Sequence, residues 1–144
     1  MRKIKMTGEQ RFRAWDKLRK RTSTVDRIYF DTEGVQLRDD GGLYWRHFRE
    51  VTLMQSTGIK DKNGTEIFEE DTVKTTRFFG RADEVGGFYE YDKEIIGVVK
   101  QLEGAWVIDT GSEAVYLWTE IEENEVIGNI YENPEPLEAG NDSK

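Results

Sequence analysis

The sequence predicts an all-β domain: mainly antiparallel strands and hairpins forming a small barrel or sandwich, with at most one or two short helical turns. Three observations carry this expectation. Apolar residues recur with period two rather than 3.6, as on half-buried strands. Turn-forming clusters return at roughly ten-residue spacing, the rhythm of hairpins in a barrel or sandwich. Helical composition is confined to two short stretches, 46–55 and 119–124.

The elements follow in order. Val25-Asp26-Arg27-Ile28-Tyr29-Phe30 is β-branched and aromatic, and Asp31-Thr32-Glu33-Gly34 ends it as a turn. Val35-Gln36-Leu37-Arg38 alternates, Asp39-Asp40-Gly41-Gly42 breaks the chain, and Leu43-Tyr44-Trp45-Arg46-His47-Phe48 resumes strand composition. Between Ile59 and Phe68, Asn63-Gly64 accepts the positive φ angles of a type I′ turn and predicts a hairpin with apolar flanks. Asp71-Thr72-Val73-Lys74-Thr75-Thr76-Arg77-Phe78-Phe79 predicts a longer strand, and 80–87 a polar, glycine-containing loop. Residues 93–100 and 105–109, separated by Leu102-Glu103-Gly104, predict another hairpin; 114–118 and 125–131 complete the series. The prolines at 134 and 136, with Leu137 and Ala139 as the last apolar residues, predict a flexible acidic tail over 132–144. One β-rich domain is thus expected over 1–131, of which 1–11 is a basic leader.

Composition narrows the chemistry. The 144 residues suit one domain, and no apolar run approaches the roughly 18 residues of a membrane-spanning helix. No secretory signal pattern opens the chain, so a cytoplasmic location without membrane contact is expected. With no cysteine, disulfides, thiolate nucleophiles and thiolate metal sites are unavailable. With His47 the sole histidine, imidazole metal sites and Ser-His relays have almost nothing to draw on. No metal, no cofactor and no catalytic residue is expected. The net charge of −8 is a gradient: residues 1–27 sum to +7, 28–100 to −5 and 101–144 to −10. Such ends can screen one another, pair between subunits, or serve different partners.

Three stretches together resemble a known family. Phe12-Arg13-Ala14-Trp15-Asp16-Lys17, the run from Leu53 through Asn63-Gly64 to Asp71-Thr72-Val73, and the run from Val126 through Asn129-Ile130-Tyr131 to Glu135 are similar to the YopX family. Its members are small proteins encoded mainly by phages and prophages of Gram-positive bacteria. The resemblance implies a compact β-rich fold, oligomeric, in the cytoplasm of a phage-infected or lysogenic cell, and it brings no activity or catalytic residue with it. Two departures stand out. Met6 to Arg11 intervene before the first stretch, and Glu70 and Thr72 occupy positions where the family most often has glycine and isoleucine. The second departure argues against a tight positive-φ turn before Asp71.

Within these stretches Asn63, Gly64 and Asp71 form a structural signature: a turn, then a carboxylate placed to accept backbone amides at the entry to the next strand. Asp61-x-Asn63 opens like a calcium loop, but Thr65, Glu66 and Thr72 stand where an acidic or amide residue, glycine and glutamate would be needed. Glu66, Glu69, Glu70 and Asp71 read as a solvated acidic turn rather than a paired-carboxylate site. His47 reads as a stacked or hydrogen-bonded structural histidine. Arg11, Arg13, Trp15, Trp45, Arg46, His47 and Arg49 interleave cations with rings, the composition with which small barrels stack single-stranded bases.

The first functional expectation is a non-enzymatic phage accessory protein acting through self-association and contacts with phage or host proteins. The alternative is a single-stranded nucleic-acid-binding β-barrel protein using those seven residues. A third reading takes the acidic carboxyl-terminal stretch as a decoy for a host DNA-binding protein.

Overall fold

A computed structural model describes residues 11–82, 84–117 and 123–134. Its strands are β1 (Phe12–Asp16), β2 (Arg21–Tyr29), β3 (Gly34–Asp39), β4 (Gly42–His47), β5 (Val51–Lys60), β6 (Glu66–Phe68), β7 (Asp71–Ala82), β8 (Phe88–Leu102), β9 (Ala105–Asp109), β10 (Ala114–Tyr116) and β11 (Glu125–Asn129). They form two antiparallel sheets, ordered β4-β3-β2-β1-β5-β6 and β10-β9-β8-β7-β11. The all-β expectation holds. Among the described residues no helix is long and apolar enough to cross a membrane.

The first sheet curls around its own core. Ala14, Val25, Val35, Leu37 and Val51 are buried together, with Phe12, Ile28, Tyr44, Phe48 and Leu53 packed against them. Three strand spacings, about 14 Å, would separate β1 from β4 in a flat sheet. Tyr44 and Arg46 on β4 nevertheless reach Asp16 on β1 at 2.9 and 3.1 Å, so the sheet bends back on itself. A bulge at Asp26 assists: Val25 pairs with Leu37, and then Arg27 with Gln36. The extra residue turns Ile28 inward and Arg27 and Tyr29 outward, a reversal that simple alternation from Val25 does not give. The second core joins Ile67 of β6 to Val73, Ile95, Val99, Ile108 and Leu117 of the other sheet and its flanks.

Several local expectations are corrected. The helical turn expected over 46–55 is a single 3-10 turn, Phe48–Glu50, after which β5 runs directly on. The stretch 119–124 lies mostly outside the described residues, as do 1–10 of the basic leader and 135–144 of the acidic tail. The Asn63-Gly64 hairpin exists without its type I′ turn. Lys60 pairs with Glu66 across a five-residue loop, and of the expected pair only Gly64 has positive φ. Asp61 decides this, because its Oδ1 accepts the amides of Asn63 and Thr65, both at 2.9 Å. A two-residue turn with positive φ at both positions occurs instead at Glu103-Gly104, between paired Leu102 and Ala105. Gly80 to Ala82, expected in a loop, continue β7 in register with β8 as far as Ala82↔Phe88.

Glu70 gives the sharpest correction. It adopts φ 73° without being glycine, so the tight turn before Asp71 is retained. The surroundings over-determine it: the Glu70 amide donates to Val99 O at 2.9 Å, its carbonyl accepts the Ile130 amide at 3.2 Å, and its carboxylate meets Lys100 Nζ at 3.2 Å. In an ordinary strand alanine is more stable than glycine. Here Glu70→Gly should exceed Glu70→Ala in stability by about 1 kcal/mol in urea unfolding, because both lose the Lys100 pair and only glycine relieves the backbone.

Candidate functional site

The three stretches shared with the family resemblance meet where the two sheets join. β1 delivers Arg13, the β6–β7 turn delivers Asp71, and β11 lies beside β7 with Asn129 opposite Asp71. Arg13 Nη2 donates to Asp71 Oδ1 at 2.6 Å, and its guanidinium lies 4.7 Å from the Phe68 ring centroid. Asp71, 1% exposed, also accepts the amide of Phe68, the last residue of β6, at 2.8 Å. Beyond β11, Asn129 Oδ1 accepts the amides of Tyr131 and Glu132 at 2.9 and 2.8 Å and folds the chain back over the first sheet. There Tyr131 stacks on Trp15 at 5.6 Å, and Glu132 Oε2 accepts the Thr22 amide at 2.9 Å.

A second buried carboxylate organises the curled sheet. Asp16 is fully buried; its Oδ1 accepts the amides of Leu18 and Arg19 and Arg46 Nε, and its Oδ2 accepts the Tyr44 hydroxyl. Asp61 has the corresponding role at the far end of β5. Besides the two loop amides, its Oδ2 accepts the Val126 amide at 2.9 Å, tying the loop to β11.

The seven residues of the nucleic-acid reading are not brought together. Arg11 pairs with Glu66 at 2.8 Å, Arg13 with Asp71, and Arg46 with Asp16 while lying over the Tyr44 ring at 4.9 Å. Trp15 is covered by Tyr131. Trp45, His47 and Arg49 are exposed. Trp45 and His47 share the outer face of β4, edge to face at 6.2 Å, and the indole lies across Gly34, where an added Cβ would stand 1.9 Å from Cζ2. Two residues that sequence reasoning did not single out complete this face: Tyr29, 5.5 Å from the Trp45 ring, and Arg27. The signal that would have found them is the bulge at Asp26, which alternation alone does not reveal.

Electrostatics separates the three aspartates. Burial alone would raise Asp16 and Asp61, but the hydrogen bonds they accept outweigh it and hold both below the ordinary aspartate range. Burial of Asp71 prevails over the nearby Arg13 and raises its carboxyl. The consequences for stability are opposite. Asp16 and Asp61 contribute stability above pH 3.8 that is lost as pH falls through their folded values; ionising Asp71 costs stability as pH rises from 3.8 through its own. Chemical unfolding between pH 7 and 2.5 should therefore show a flatter acid limb for Asp61→Asn and one at least as steep as wild type for Asp71→Asn. Removing one partner of the Arg13–Asp71 pair strands the other, so Arg13→Met and Asp71→Asn should each cost about 3–5 kcal/mol. The double variant should cost less than the two together by about 2 kcal/mol, measured as a denaturation cycle.

Comparison with known proteins finds a similar fold in a solved structure. The crystal structure of YopX from Bacillus subtilis matches with TM-score 0.55 at 20% identity, over 88% of this chain and 97% of that one. The crystal structure of EF1440 from Enterococcus faecalis matches with TM-score 0.49 at 24% identity, over 89% and 97%. No curated protein matches the chain. The sequence profile of the family described as YopX protein matches residues 11–138, a span that holds the first-sheet carboxylates, the Arg13–Asp71 junction and β11 together, and the chain belongs to that family.

Proposed function

We propose that the chain is a non-enzymatic phage or prophage accessory protein that acts in the bacterial cytoplasm through self-association and protein contacts. One observation carries this reading. β11 pairs with β7 only as far as Lys74, and β9 pairs with β8 only from Val98 onward. Among the described residues, Thr75 to Ala82 and Phe88 to Gly97 have strand pairing with each other and with no third strand. Eight residues of strand extend about 26 Å. In the outer part of this ribbon every described side chain of 88–94 is exposed, including Phe88 at 67%, and Val85 at the tip is 91% exposed. A lone two-stranded ribbon is marginally stable in water, and an apolar tip at its end is the sort of surface that proteins cover by association. The absence of a catalytic role rests on how the polar groups are used. Asp16, Asp61 and Asp71 are committed to backbone amides and arginines rather than turned toward a substrate.

A narrower second reading, single-stranded nucleic-acid binding, is favoured by the exposed Trp45 and His47 with Tyr29 and Arg27 on the same face, while Arg11, Arg13 and Arg46 are paired with carboxylates. The decoy reading rests on the acidic stretch 101–144, of which 118–122 and 135–144 lie outside the described residues. Sedimentation velocity at low and high salt should show a species larger than the 16.8 kDa monomer in at least one condition, and a strict monomer in both overturns the leading reading. Fluorescence anisotropy with labelled single-stranded DNA and RNA at low salt tests the second, since phosphate-driven binding is strongest there.

A further inference from the structure

The ribbon and the outer face of the first sheet are complementary in chemistry. Because side chains alternate along β8, Phe88, Glu90, Asp92 and Glu94 share one of its faces, and all four are exposed. Residues 78–94 carry two basic and five acidic groups, a net of −3. The outer face of β2–β4 reads as its counterpart. Tyr29 and Trp45 form a tilted aromatic pair over Gly34, His47 stands edge-on to the indole, and Arg27 and Arg38 project from the same face. Trp45 is 37% exposed, and the Arg38 side chain is 55% exposed while pairing with Asp26 at 2.9 Å. An aromatic ring leading a row of carboxylates thus has a match in an aromatic pair flanked by guanidinium groups.

Resting on the self-association reading, we infer that the β7–β8 ribbon of one copy seats on the β2–β4 face of a second copy. Phe88 packs against the Trp45–Tyr29 pair, and Glu90 and Asp92 meet Arg27 and Arg38. The two surfaces are different patches of one chain, so the contact is head to tail and each copy offers one ribbon and one face. Repetition of such a contact closes into a ring when the rotation permits and otherwise extends as a filament. The contact orders the two-stranded ribbon and covers its apolar tip.

A charge swap on the full chain tests the inference. The ribbon variant is Glu90→Lys/Asp92→Lys and the face variant is Arg27→Glu/Arg38→Glu; circular dichroism and thermal unfolding establish that both fold. Each variant alone meets like charge across the contact and should associate at least about a hundredfold more weakly than wild type, sedimenting as monomer. Mixed one to one, the lysine ribbon finds the glutamate face and the acidic ribbon finds the arginine face, so assembly should return as alternating filaments or even-numbered rings. Phe88→Ser should weaken assembly in the same direction without altering charge. A face variant that assembles like wild type overturns the inference while leaving self-association intact, because the ribbons would then pair in some other way. A monomeric wild type overturns self-association itself. Single-stranded DNA that binds wild type and is lost in the face variant, with assembly unchanged between them, assigns the face to nucleic acid and overturns the inference.

Discussion

A carboxylate buried where two sheets meet must be matched in place, and Asp71 is such a group. It is removed from water, its carboxyl is raised by burial, and Arg13 reaches it across the junction at 2.6 Å. Pairs of this kind add little net stability, because desolvating both charges consumes most of what their attraction returns. Their contribution is register: a junction shifted by one residue would leave a guanidinium and a carboxylate buried apart. Because β1 pairs with β5, and β11 with β7, fixing Arg13 on Asp71 fixes the first sheet against the second.

The FRAWD stretch therefore reads as a description of the junction. Phe12 and Ala14 enter the first core, Arg13 crosses to the second sheet, Trp15 receives Tyr131, and Asp16 caps the turn after β1 while gathering Tyr44 and Arg46. Every residue of the motif has a structural task. The surfaces that the proposed association uses lie elsewhere, on the outer β7–β8 ribbon and the β2–β4 face. Neither surface belongs to the three stretches that carry the family resemblance. Under the proposed self-association, residues that hold the fold together and residues that would meet a second copy are separated along this chain.

Much of the strand order from β2 onward was legible from period and turns, since a half-buried strand must alternate, but the start of β5 was not, because 46–55 carries helical composition. Less legible were features set by a single polar side chain. Asp61 outcompeted the intrinsic preference of Asn63-Gly64 by holding two loop amides, and Asp26 reversed the facing of Tyr29 by adding one residue to β2. Glu70 shows tertiary context overriding local preference: three contacts from β8 and the β11 turn hold a backbone angle that glycine would adopt without cost. The basic-aromatic pattern predicted cations beside rings correctly as composition. Whether a guanidinium faces solvent or a buried aspartate depends on partners more than fifty residues away for Arg11 and Arg13, and composition does not carry that information.

Native-state hydrogen exchange at the junction tests most directly whether the clasp holds the sheets in register. The amides of Phe68, Glu70 and Ile130 bond to Asp71, Val99 and Glu70 around the Arg13–Asp71 pair. In wild type they should exchange only through the same global opening that exposes Ala14. In Arg13→Met they should open earlier, as a group, while Val99 and Ile108 in the second core keep their protection. Rapid local exchange of these three amides in the wild-type protein, or unchanged protection after Arg13→Met, would contradict the account.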